Sequence, residues 1–312
     1  MGMSTRSLAT VAIAAALIGP AQAQRSSRYD VVDESTVTRT LSFAANHPTT
    51  QSPRRGDPGG GGRILDVRNI NGFIHVEGTT DSTVQMSIRK VIRAETRDDL
   101  ARAQQDVRLD FREGGPRVEA TVTDRRGHVC GEPSNDRGDR WDRVYYDVRF
   151  DFTIRVPRDA ALRLCTINGG EVIVSGTQGD FTVDNVNGLI DMKSVAGPGR
   201  AHTVNGAVSV SFIANPAQAS SFKSVNGNID VSFLDGLSAD LAMKTFNGGL
   251  FTDFDVEPLA GKVAAAGERR NGRFVYRANE FTRVRVGNGG PELTFATLNG
   301  NVRARRTGGR GR

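Results

Sequence analysis

The 312-residue chain has two cysteines, one tryptophan and four histidines, and its longest apolar run is confined to its first two dozen residues. Each scarcity closes off a class of protein. His47, His75, His128 and His202 are scattered, and only His128 lies near a cysteine, so the clustered ligands of a zinc site are missing. The glycine run at 59–62 lacks the Lys-Ser/Thr that follows a phosphate-binding loop and reads as linker. The glycine-rich calcium repeat of secreted β-rolls is absent. The formal charge of +6 is accounted for by Arg6 and by five arginines in the last ten residues, which contain no acid. The body of the chain is therefore neutral and carries no basic face interleaved with aromatics, which argues against a nucleic-acid reader. No metal, cofactor or nucleic acid is expected, and no residue stands out as catalytic.

What is present starts with an export signal. Residues 1–23 combine Arg6, an apolar run at 8–18, a Gly19-Pro20 break and Ala21-Gln22-Ala23, the pattern of a secretory signal peptide. The run is too short for a permanent anchor, and no cysteine follows it for lipid attachment. The mature chain is expected to begin at Gln24, outside the cytoplasm, with no transmembrane segment after cleavage.

The organising feature is a repeat. Asn-Gly recurs at Asn168-Gly169, Asn187-Gly188, Asn205-Gly206, Asn226-Gly227 and Asn247-Gly248, spaced 19, 18, 21 and 21 residues apart. An early copy stands at Asn71-Gly72 and a last one at Asn299-Gly300, making seven. Four positions before the Asn stand Leu164, Val183, Ala201, Phe222 and Met243, and immediately before it Ile167, Val186, Val204, Val225 and Phe246; both columns read as core. Two before it comes a small residue with a hydrogen-bonding side chain: Thr166, Asn185, Thr203, Ser224 or Thr245. After the Gly, pairs such as Val208 and Val210 alternate with polar residues, the period of a half-buried strand. Each unit is two short strands around a corner.

Asn-Gly is also the best two-residue hairpin turn, because both residues accept positive φ, so an antiparallel meander is a rival architecture. A meander gives no reason for the same small polar type at one offset, whereas stacked coils place equivalent residues above one another about 4.8 Å apart. The expected fold is mainly β: a β-solenoid, or parallel β-helix-like stack of repeats of about 20 residues, with one helix-bearing α+β insertion. The extra residue after Asn168, where Gly169 is followed by Gly170, reads as a glycine bulge.

Around the repeats, 24–62 reads as a flexible polar and Gly-rich lead-in with a possible strand at 37–43 capping the first coil. Residues 63–304 form one solenoid domain, broken by an insertion at about 83–156. The insertion holds a strand at 83–92, a helix opened by a capping box of Thr96 and Asp99, two further strands, and a long alternating strand at 144–156. The repeat lapses after Val256 and resumes at Asn299, so that the solenoid closes on itself through both breaks. Residues 305–312 read as a disordered Arg/Gly tail with weak attraction for an anionic surface. Cys130 and Cys165 are candidates for a structural disulfide in an exported protein, with a buried free Cys165 and an exposed Cys130 as the rival.

Together, the signal peptide, the early Asn-Gly strand pair, the helix-bearing insertion, the long strand ending in IRVP, and serial TVNG-type copies closed by GNGGPELTFATLNG resemble the bacterial putative-adhesin family of β-strand-repeat proteins, a domain of unknown function. The resemblance implies an exported, right-handed β-helix-like fold, periplasmic, outer-membrane-associated or extracellular in a bacterium, with no established activity and no catalytic residues to carry over. Two functions remain. One is a non-enzymatic scaffold that binds an envelope component, a glycan or a protein. The other is a carbohydrate-active enzyme, a polysaccharide lyase or hydrolase, which would need paired carboxylates from among Asp184, Asp191, Asp230, Asp253 and Asp255. Asp191 and Asp230 share a column but with Ser209 between them, and each acid reads better as a solubilising surface group.

Overall fold

The computed structural model describes residues 29–43, 62–133, 144–259, 268–270, 273–275 and 281–307. The signal peptide, Trp141, most of the lead-in and the end of the Arg/Gly tail fall outside them. In chain order the elements begin with β1 (Val31–Ser42), β2 (Ile64–Arg68), β3 (Ile74–Thr79), β4 (Thr83–Ala94), α1 (Arg97–Asp106), β5 (Arg108–Gly114), β6 (Arg117–Thr123) and β7 (Tyr146–Pro157). The five central repeats follow as pairs: β8 (Ala161–Thr166) and β9 (Val172–Ser175), β10 (Phe181–Asn185) and β11 (Ile190–Val195), β12 (Gly199–His202) and β13 (Val208–Phe212), β14 (Ser220–Lys223) and β15 (Ile229–Phe233), β16 (Ala239–Asn247) and β17 (Leu250–Thr252). The chain then forms β18 (Val256–Pro258), β19 (Glu268–Arg270), β20 (Arg273–Val275), β21 (Thr282–Val286), β22 (Glu292–Asn299) and β23 (Val302–Arg306).

Apart from the β19–β20 hairpin, these strands make two mixed sheets, neither closed into a barrel. Every Asn-Gly copy sends its first strand to an eleven-stranded sheet and its second to a ten-stranded one. Neighbouring copies pair in parallel and in register: Val183 sits beside Leu164 and Ala201, and Val210 beside Met192 and Val231. This parallel pairing excludes the antiparallel meander. Between the sheets the inward side chains interlock. Phe212 stacks on Phe233 at 5.3 Å and Phe222 on Phe295 at 5.3 Å, while Phe212 meets Phe222 and Phe233 meets Phe295 edge-on across the core. Each such ring pair adds about 0.5–1.5 kcal/mol beyond the area it buries.

Three expectations change. The first concerns the column before the Asn. Val204, Val225, Phe246 and Leu298 are 39%, 37%, 62% and 45% exposed, and Ile167 and Val186 are only partly covered, so this column is not core. The reason is parity. Successive strand residues point to opposite faces, so positions four and two before the Asn turn inward together, and positions three and one turn out. The inward small polar residue is buried and donates to the glycine carbonyl of the neighbouring copy: Thr203 Oγ1 to Gly188 O at 2.8 Å, Ser224 Oγ to Gly206 O at 2.8 Å, Thr297 Oγ1 to Gly227 O at 2.9 Å.

The second concerns the corner. Gly188, Gly206 and Gly227 do not have positive φ. They are glycines because neighbouring copies approach too closely for a side chain: a Cβ on Gly206 would lie 2.2 Å from the Gly188 carbonyl oxygen, and one on Gly227 1.9 Å from that of Gly206. Gly169, the extra residue after Asn168, does take φ +67, and Gly170 fills the close-approach position, lying against Gly72. The corner asparagines form their own ladder, each Nδ2 donating to the next Oδ1 from Asn187 to Asn168, Asn205 to Asn187, Asn226 to Asn205, Asn299 to Asn226 and Asn247 to Asn299 at 2.6–2.9 Å.

The third concerns order. The last copy does not close the chain on itself. It inserts between the two copies before it, with β22 between β14 and β16 and β23 between β15 and β17. The insertion belongs to the same two sheets. Its β6 and β7 extend the two sheets beyond the Asn71 copy, pairing in parallel with β2 and β3, and antiparallel β5, β4 and β1 finish that end. Helix α1 packs there through buried Ala103, with Thr96 as its N-cap accepting from Asp99 N at 3.1 Å.

Candidate interaction face

The outward parity of the first strands builds a surface feature. On the outer face of the eleven-stranded sheet two columns run side by side across the stack. One is apolar: Ile167, Val186, Val204, Val225, Leu298 and Phe246, in spatial order. The other, two residues earlier in each strand, is Cys165, Asp184, His202, Lys223, Ala296 and Lys244. Both border a groove of about 680 Å³, which Phe281 and the Cys130-Gly131 turn also line. At about 4.8 Å per rung, six rungs make a track on the order of 24 Å long. A concave, largely apolar surface of this size is the usual form of a ligand or partner site.

The track begins where a loop covers the sheet. Cys130 and Cys165 are joined as a disulfide, with Cα atoms 5.7 Å apart. Beside it, Asp66 is bound by Arg68 through two bonds of 3.0 Å and by Arg117 at 3.0 Å, and Arg68 also pairs with Glu132 of the same loop. Asp66 and Arg68 are thereby buried on the outer side of β2, and the groove opens only from β8 onward. No group of three or more potential metal ligands occurs among the described residues.

Charge along the polar column is uneven. Arg200 Nη2 donates to Asp184 Oδ2 at 2.8 Å, so that rung is neutral. His202 contacts Ser221 Oγ at 3.2 Å, and burial, with Arg200 and Lys223 adding positive field, holds its imidazole down at about 3, far below the ordinary histidine value. It too is neutral near pH 7. The positive charges bordering the track are Lys223, which is exposed, and Lys244, whose ammonium lies 5.6 Å from the Phe281 ring centre. Between them stands Ala296, paired in register with both.

The carboxylates considered for sugar chemistry are not gathered. Asp184 is on this face, whereas Asp191 and Asp230 are on the outer face of the other sheet with Ser209 between them. Asp191 pairs with Lys193 at 2.9 Å, Asp230 with Arg305 at 3.0 Å, and Asp255 with Arg306 at 3.4 Å, while Asp253 accepts from the Arg306 backbone at 3.3 Å. A second hollow of about 280 Å³ near the strand starts contains Asp180, whose carboxyl burial pushes up, and Glu292, which is tied to Arg283. The pattern alone suggests a core role for the apolar column and a solubilising role for Asp184. The parity of a strand was the signal that could have found the face.

No family model matches the chain, and no curated protein matches it. Among solved structures it is similar to a putative cell adhesion protein from Clostridium sporogenes, at 8% identity over 88% of this chain and 100% of that one, with a TM-score of 0.40. It is similar also to a putative adhesin from Bacteroides fragilis, at 11% identity over 87% and 97%, with a TM-score of 0.35.

Proposed function

We propose that this is an exported, non-enzymatic β-solenoid that serves as an adhesin-like scaffold of the bacterial surface or envelope and holds its partner along the outer face of the eleven-stranded sheet. The observation that carries the reading is the exposed apolar column. Six outward rungs of Ile, Val, Leu and Phe, on a body whose own core is complete between the sheets, are costly in water unless something covers them. The carboxylates lie on different faces or in ion pairs, an arrangement suited to solubility more than to acid–base chemistry.

The test is co-sedimentation of the mature protein with isolated bacterial envelopes, comparing wild type with Val204→Asp/Val225→Asp and with a control on the opposite face, Ser209→Asp. Binding lost in the first variant and kept in the second is the expected result. Equal sedimentation of all three, or turnover of acidic or neutral polysaccharides abolished by Asp184→Asn or Asp191→Asn, would overturn the reading.

A further inference from the structure

We propose that the groove binds a free, single-chain anionic amphiphile of the fatty-carboxylate type, with its head over Ala296 between Lys223 and Lys244 and its chain along Val225, Val204 and Val186 toward Ile167. This deepens the interaction reading above and rests on it.

Three features of the face select that chemistry. The first is shape. The apolar rungs form one continuous row, which suits a linear apolar chain better than a flat protein surface. The second is the polarity of the row. Its Ile167 end is bordered by the Cys130–Cys165 disulfide and the neutral Asp184–Arg200 rung, and its far end by two lysines. An apolar chain with one terminal anion matches this asymmetry, while a neutral chain offers the ammonium groups no counter-charge. The third is the notch. Lys223, Ala296 and Lys244 are consecutive rungs, so the two lysines stand about 9–10 Å apart across the smallest side chain of the column, which leaves room for a carboxylate to reach both ammonium groups. Lys223 meets no carboxylate in an ion pair among the described residues, and Lys244 is backed by Phe281.

The experiment is isothermal titration of the mature protein with laurate, with dodecyl maltoside as a neutral head on the same chain, with acetate as a head alone, and with phosphatidylglycerol vesicles. Laurate is expected to bind saturably at one site, dodecyl maltoside at least about tenfold more weakly and acetate not measurably. Lys223→Ala/Lys244→Ala should weaken laurate by about tenfold and erase its advantage over the maltoside. Ala296→Glu should abolish laurate binding; if that variant does not fold, the lysine pair decides. Absence of saturable laurate binding, equal affinity for the two dodecyl compounds, or binding only to vesicles without competition by laurate would overturn the proposal. Envelope sedimentation separates the two failures. If laurate does not bind but sedimentation still depends on Val204 and Val225, the amphiphile falls and the interaction face stands; if neither is seen, both fall.

Discussion

His202 shows how one position takes its chemistry from its column. On a free chain its imidazole would titrate near 6.5, but in the folded protein burial and the positive field of Arg200 and Lys223 hold it at about 3. Between those values the unfolded chain takes up a proton that the folded one refuses. Stability therefore rises with pH across this window and is lost as the pH falls from about 6.5 toward 3. His202→Gln removes that coupling. The variant is expected to lose less of its melting temperature than wild type between pH 7 and pH 4.5, and equal losses in a pair of thermal scans would show that His202 is not the group responsible. This behaviour was not legible in the sequence, where His202 is one of four scattered histidines; its burial depends on strands that only the parallel register brings beside it.

At the scale of the repeat, the sequence pattern carried most of the architecture. Equal spacing of Asn-Gly and the recurrent Thr, Ser or Asn two places earlier agree with the parallel pairing of neighbouring copies, which gives Thr203, Ser224 and Thr297 the same partner, a neighbouring glycine carbonyl. What the pattern hid was which glycine property mattered. Positive φ is found at Gly72, Gly169 and Gly300 and not at Gly206, where the neighbouring backbone occupies the space of a side chain. Gly206→Ala should accordingly cost about 1–3 kcal/mol or more through overpacking, measured by urea unfolding. An unchanged midpoint would mean that neighbouring copies separate at no cost. The placement of the last copy was likewise hidden. Asn299 satisfies the same column rules beside Asn226 as Asn247 would, so local pattern alone cannot order them; the 21 residues from Asn226 to Asn247 gave no sign that another copy lies between.

Across the whole molecule, the two interruptions finish the ends of the stack. The first folds back so that β6 and β7 add a further layer, and its loop returns over β2 to meet Cys165. The disulfide closes a segment of 35 residues, for which chain entropy implies a stabilisation on the order of 3–4 kcal/mol. Cys130→Ser should lower the unfolding free energy by up to that amount while leaving the parallel stack intact. A variant as stable as wild type would mean that the Arg68 network with Asp66 and Glu132 holds the loop by itself.

The same stack determines which apolar residues serve the core and which face outward, and that division underlies both the interaction face and its occupant. The most direct measurement is urea unfolding of Val204→Asp beside Val210→Asp, two positions in one repeat that are 39% and 1% exposed. Val204→Asp is expected to stay within about 1 kcal/mol of wild type, as at an exposed position, whereas Val210→Asp buries a charge and should lose several kcal/mol or fail to fold. Equal and severe destabilisation by both would place Val204 in the core and remove the face.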